Sequence, residues 1–123
     1  MVYFIADTHF GHENIIKSCN RPYHNAEEMN ADLIKRWNNK VGENDCVYIL
    51  GDMFRRCKNP ESVLLQLNGE KHLILGNHDD EWLGEIEVEK YFKTVNSLLE
   101  ASFDSFQAFL CHYPLVTWKH QKK

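Results

Sequence analysis

The chain has 123 residues, enough for one domain with a buried core and too few for a second regulatory module beside it. With 43% hydrophobic, 12% aromatic and 26% charged residues it has the balance of a folding chain, which excludes a disordered one. Fourteen Lys and Arg against 18 Asp and Glu leave a formal charge of −4, so general nucleic-acid binding is not expected, while a local phosphate site remains compatible.

From the N-terminus, Val2 to Ala6 is a short apolar, β-prone run that stops at Asp7, which predicts a buried strand opening an α/β domain. Neither a basic leader nor a long apolar stretch precedes a small-residue cleavage site, so no signal peptide is read and the cytoplasm is the expected location. A polar loop follows, with Asn14 as the expected cap of a helix beginning near Ile15. Asn25 and Glu28 form a capping-box pair ahead of Ala26, Met29, Leu33 and Trp37, whose spacing predicts an amphipathic helix of about four turns with these residues in the core. Gly42 to Asp45 is turn chemistry, and Cys46 to Leu50 reads as the second strand, ending at Gly51-Asp52.

Asn59-Pro60-Glu61 opens a helix carrying Val63, Leu64 and Leu67 that closes at Asn68-Gly69. His72 to Leu75 is the third strand, stopped by Gly76. Alternating strands and helices with short connections predict crossovers in a parallel sheet. Val88 to Phe92 reads as a short helix, and Ser97 to Phe103 and Phe106 to Cys111 as two strands joined at Asp104-Ser105, where the sheet is expected to become mixed. The apolar runs are far below the ~20 residues needed to span a bilayer, so no membrane helix is expected. Cys19, Cys46, Cys57 and Cys111 show no C-x-x-C spacing and read as reduced packing residues.

The informative residues stand where strands stop. Asp7-Thr8-His9 follows the first, Gly51-Asp52 the second, Gly76-Asn77-His78-Asp79 the third and His112 the last. The carboxyl ends of parallel strands lie along one edge of an open α/β sheet, so the topology predicts that these residues converge. Carboxylates, imidazoles and an amide oxygen suit Mn, Fe, Zn or similar divalent ions rather than a thiolate-rich structural zinc site.

Asp7-x-His9, Gly51-Asp52, Gly76-Asn77-His78-Asp79 and His112-Tyr113-Pro114 resemble, in order, the first four blocks of the calcineurin-like metallophosphoesterases. The stretch Asp7 to Ile15 is most similar to the small bacterial and phage members. The resemblance implies an α/β, metallophosphoesterase-like layered fold with a parallel or mixed β-sheet flanked by helices, in a single domain over residues 1–123. By the same resemblance Asp7 and His9 bind one divalent ion, Asp52 bridges, Asn77 and His112 bind the second, and His78 is the general acid. The ions implied are Mn, Fe, Zn or Ni, and they would activate a water against a phosphate ester. Asn77 and His12 are the candidate substrate-binding residues.

The family's fifth block, Gly-His-x-His, does not occur in this sequence, which predicts a fold lacking its C-terminal part, one metal ligand fewer at each ion, and a sheet edge open to an oligomeric partner. His120 lacks the glycine and the second histidine and reads as a tail residue. Arg55 stands where protein Ser/Thr phosphatases carry a second aspartate, which points away from phosphoproteins and toward phosphodiesters or small phosphomonoesters. Arg21, Arg55 and Arg56 either meet substrate phosphate or lie solvated at the surface, while His24 and His72 read as structural or surface residues. Two functions are expected to compete: a metal-dependent phosphohydrolase, and an impaired or truncated phosphoesterase fold serving as a scaffold or protein-binding module.

Overall fold

The computed structural model describes residues 1–113. The expectations for Pro114 and His120 lie outside the described residues. Four strands, β1 (Val2–Ile5), β2 (Cys46–Ile49), β3 (Glu70–Ile74) and β4 (Thr94–Asn96), pair in that order, every pair parallel. Parallel neighbours need long crossover connections, which here carry helices. α1 (Glu13–Ser18) and α2 (Ala26–Lys40) join β1 to β2, α3 (Pro60–Gln66) joins β2 to β3, and α4 (Asp80–Leu83) and α5 (Val88–Tyr91) join β3 to β4.

The caps form as their residue types require. The Asn25 side chain accepts from the Glu28 amide at 2.8 Å, and Asn59 from Ser62 at 3.2 Å with Pro60 opening the helix. α2 presents Met29 and Trp37 to the interior, and the Trp37 indole donates to the Asn68 carbonyl at 2.9 Å. That face closes on Val47, Ile49 and Leu73 of the sheet and Val63, Leu64 and Leu67 around α3, forming the main core. Strand side chains alternate between faces, so the opposite face carries Phe4, Tyr48 and His72 as a stacked ladder. Phe103 meets Phe4 and Tyr48 edge-on there, at 5.7 and 5.5 Å.

Two local expectations are corrected, and two short elements are added. The sheet does not become mixed: β5 (Leu99–Ser102) and β6 (Gln107–Leu110) pair antiparallel with each other as a separate two-stranded sheet. α1 begins at Glu13 with His12 at the cap position, and Asn14 lies inside it, because Gly11 at φ +82° has already turned the chain. β4 and α4 were not predicted; at three and four residues they are too short to show a period. Among the described residues no helix is long and apolar enough to cross a membrane, and Cys19, Cys46, Cys57 and Cys111 are free thiols.

Candidate metal centre

β1 and β2 run side by side, and the loops beyond their ends stay joined. The amides of Asp7, His9 and Phe10 donate to the carbonyls of Gly51, Asp52 and Met53 at 3.1, 3.1 and 2.8 Å, and the Arg55 amide returns a bond to Phe10 at 3.1 Å. The Thr8 hydroxyl adds a buried bond to the Met53 carbonyl at 2.9 Å. Three of the candidate ligands adopt left-handed backbone: Asp7 at φ 54°, His9 at 52° and Asp52 at 51°. Such conformations cost of order 1 kcal/mol or more each and persist only where neighbouring structure enforces them. Arg21 supplies part of that enforcement, donating to the carbonyls of Thr8 (2.8 Å) and Asp7 (3.0 Å), so its guanidinium braces a ligand loop rather than lying free in solvent.

The donor atoms converge on Asp52. Its Oδ2 lies 3.9 Å from His9 Nε2 and 3.5 Å from His112 Nε2, and His9 Nε2 is also 3.9 Å from Asp7 Oδ1. Ligand atoms of Asp7, Asp52 and His112 all lie within 4.8 Å of one another. Separations of 3.9 Å are too long for hydrogen bonds. They suit atoms that share a cation, since ligands about 2.0–2.2 Å from one ion are separated by up to roughly 4 Å. The His112 Nδ1 hydrogen bond to the Leu50 carbonyl at 2.8 Å requires the proton on Nδ1, which turns the Nε2 lone pair toward a carboxylate oxygen. In the neutral ring that lone pair and the carboxylate oxygen are both acceptors, a pairing that a shared cation satisfies, so the donor set fits the divalent ions expected from the sequence. His9 Nδ1 lies 3.1 Å from Nδ1 of His12, so one ring donates to the other and each orients its neighbour.

Two glycines allow the closeness. A Cβ on Gly51, whose φ is +88°, would collide with the His112 ring, and one on Gly76 would lie 2.6 Å from Asp52 Oδ1 and 2.7 Å from its amide nitrogen. Gly76→Ala is therefore expected to displace Asp52 and destabilise the fold by about 1–3 kcal/mol. Calorimetric metal titration and thermal unfolding of the variant check both effects.

Asp79 closes the Gly76-Asn77-His78-Asp79 stretch without an expected role of its own. It is fully buried, and its carboxylate accepts from the amides of Asp52 and Gly76 (both 2.8 Å) and Met53 (3.0 Å) and from the Trp82 indole (3.0 Å). One side chain thus fixes the loops after β2 and β3 together. The only sequence signal was an aspartate beside an apolar tryptophan turn.

Asn77 is exposed in the loop after β3, between Gly76, packed against Gly51, and His78, whose amide donates to Asp52 Oδ1 at 3.1 Å. The His78 ring meets Arg55: Nη1 lies 2.5 Å from Nδ1 and donates to Glu81 at 2.6 Å. A guanidinium only donates, so His78 Nδ1 is the acceptor and the neutral ring carries its proton on Nε2. His12 and Arg55, each weighed as a substrate contact, are thus both held against site histidines.

Burial holds the pKa values of His9, His12 and His72 below their ordinary 6.5, against the attraction of Asp52 and Asp7 in the case of His9. The unfolded chain then takes up these protons first, so their contribution to stability is complete above about pH 6.5 and is lost as pH falls toward the lower folded values. Urea unfolding of metal-free protein is expected to show a lower midpoint at about pH 5.5 than at about pH 7.5.

The calcineurin-like phosphoesterase family model matches residues 1–122. The chain is 54% identical over 81 residues to an uncharacterized protein of Methanocaldococcus jannaschii, a match covering 63% of this chain and 46% of that protein. It is 37% identical over 81 residues to the Gene 66 protein of Mycobacterium phage L5, covering 63% and 39% of the two chains. The chain thus spans less than half the length of these relatives. A crystal structure of a protein of unknown function from Aquifex aeolicus superposes with a TM-score of 0.72 at 27% identity, over 98% of this chain and 66% of that one.

Proposed function

The chain belongs to the calcineurin-like phosphoesterase family, and from that premise we propose that it hydrolyses phosphodiesters or small phosphomonoesters at a two-metal centre. The observation that carries this reading is the position of Asp52 Oδ2 between His9 Nε2 and His112 Nε2. One carboxylate oxygen facing two imidazoles is the arrangement that lets a single aspartate serve two cations. Asp7 and His9 would hold the first ion with Asp52, and Asn77 and His112 the second. Divalent ions there supply Lewis acidity toward phosphate oxygens and bring the pKa of water toward about 7.

The chain's own residues do the rest. The Leu50 carbonyl sets the ring of His112 so that Nε2 would be free for an ion, and the contact with His12 orients the ring of His9. Arg55 fixes the His78 ring through Nδ1 and leaves Nε2 as the nitrogen for proton transfer to a departing alkoxide or phenoxide, a step that requires the ring as imidazolium with Arg55 withdrawn toward Glu81. The Asp79 carboxylate holds Asp52 and Gly76 in place before any substrate arrives.

The test is hydrolysis of bis-p-nitrophenyl phosphate and p-nitrophenyl phosphate by protein loaded with Mn²⁺, Ni²⁺ or Zn²⁺. Activity lost on chelation and restored by metal supports the reading. Turnover of neither ester above an Asp52→Asn control overturns it.

A further inference from the structure

A second group of ligand-type side chains lies at the opposite end of the sheet. Cys46 opens β2 and Glu70 opens β3, and the parallel register sets them directly opposite each other. His72, two residues along β3, shares their face. Cys46 Sγ lies 3.2 Å from Glu70 Oε2, His72 Nε2 lies 3.9 Å from the same oxygen, and the three ligand atoms are all within 4.8 Å of one another. Asp52, on which the proposed phosphoesterase centre is built, follows the far end of β2, so at least a strand length, about 10 Å, separates the groups.

The histidine is already set for coordination. Its Nδ1 bonds the Thr94 hydroxyl of β4 at 2.8 Å, and its ring stacks on Tyr48 at 4.5 Å and 10°. With Nδ1 as donor, the Nε2 lone pair faces Glu70 and Cys46, the outer support seen behind metal-binding imidazoles. We propose that Cys46, Glu70 and His72 bind a borderline-soft divalent cation of the zinc type, at a site separate from the one built on Asp52.

Sulfur, nitrogen and carboxylate oxygen select that class of ion, and three protein ligands leave a fourth position toward solvent, where Glu70 is exposed. Pulling the ligands onto one ion requires side-chain shifts of about 1 Å or less at the ligand distances zinc adopts. Burial and the Glu70 carboxylate hold the Cys46 thiol above its ordinary 9.0, so it is protonated at neutral pH. On binding, the S–H bond breaks, the sulfur–metal bond forms and the proton passes to the buffer. Lys93 Nζ, 3.6 Å from the other Glu70 oxygen, supplies a competing positive charge that the ion must overcome.

Titration of Co²⁺ into chelator-stripped protein tests the site, because only a thiolate ligand gives sulfur-to-cobalt charge-transfer absorption. That absorption is expected in the wild type, in Asp52→Asn and in Cys111→Ser, to vanish in Cys46→Ser, and to need about tenfold more Co²⁺ in His72→Ala. In the unmutated protein, saturating Zn²⁺ is expected to slow alkylation of Cys46 about tenfold while leaving exposed Cys19 unaffected, as mapped by mass spectrometry. This second measurement decides the matter if Cys46→Ser does not fold. Absence of the absorption in wild type, its survival in Cys46→Ser, or alkylation of Cys46 at an unchanged rate overturns the proposal.

Discussion

Asp52→Asn is expected to lower metal-dependent phosphoester hydrolysis by about 10³-fold or more while leaving the fold nearly as stable as before. The substitution removes the one negative charge that faces both His9 and His112. An amide in its place offers each cation at most a neutral oxygen, and a loss of about 4 kcal/mol of transition-state stabilisation corresponds to the stated factor. Asparagine tolerates the left-handed backbone at this position and keeps an oxygen for the His78 amide bond, so melting should shift little. Parallel kinetics, calorimetric metal binding and thermal unfolding separate the outcomes. Retained activity in the variant would remove Asp52 from the chemistry.

The largest effect on stability is expected at a residue that touches no proposed ligand atom. Asp79→Ala strips the acceptor from three backbone amides and one indole in a fully buried setting. Each buried donor left alone costs about 1–3 kcal/mol, so after relaxation a net loss of about 3–5 kcal/mol is expected, with melting lowered by roughly 10–25 °C. Asp79→Asn should rescue only part of this, because its NH₂ group would face donors. Thermal unfolding of the metal-free variants checks both, and a change below about 1 kcal/mol in Asp79→Ala would refute the clamp.

Much of the scaffold was legible because its signals are periodic. The α2 stripe of Met29, Leu33 and Trp37, the caps at Asn25 and Asn59, and the apolar runs of β1, β2 and β3 each report a local preference that the fold also satisfies. The convergence of Asp7, His9 and Asp52 was readable for a different reason: parallel strands aim their ends at one edge. His112 joins them from the end of β6, in the separate antiparallel sheet, where that rule does not apply. The contacts that hold those side chains were not readable. Nothing in the sequence marks the Leu50 carbonyl as the partner of His112, Arg21 as a brace for Asp7 and Thr8, or Asp79 as the link between two loops. These are pairings between segments distant in sequence, and composition carries no trace of them. β4 escaped for lack of length, whereas the two strands joined at Asp104-Ser105 were legible and only their separation from the main sheet was not, since nothing local specifies which edge a hairpin joins.

The left-handed residues Asp7, His9 and Asp52 set robustness and function against each other. Only glycine, and to a lesser degree asparagine or aspartate, occupies such backbone at low cost. A population selected for heat tolerance alone would gain by drifting toward glycine at position 7, where the Asp7 side chain is largely exposed and little packing opposes the change. That drift would delete a donor. Recovering thermostable yet silent sequences from such a selection would show that the strain in these loops is maintained by what they hold, not by what they contribute to folding.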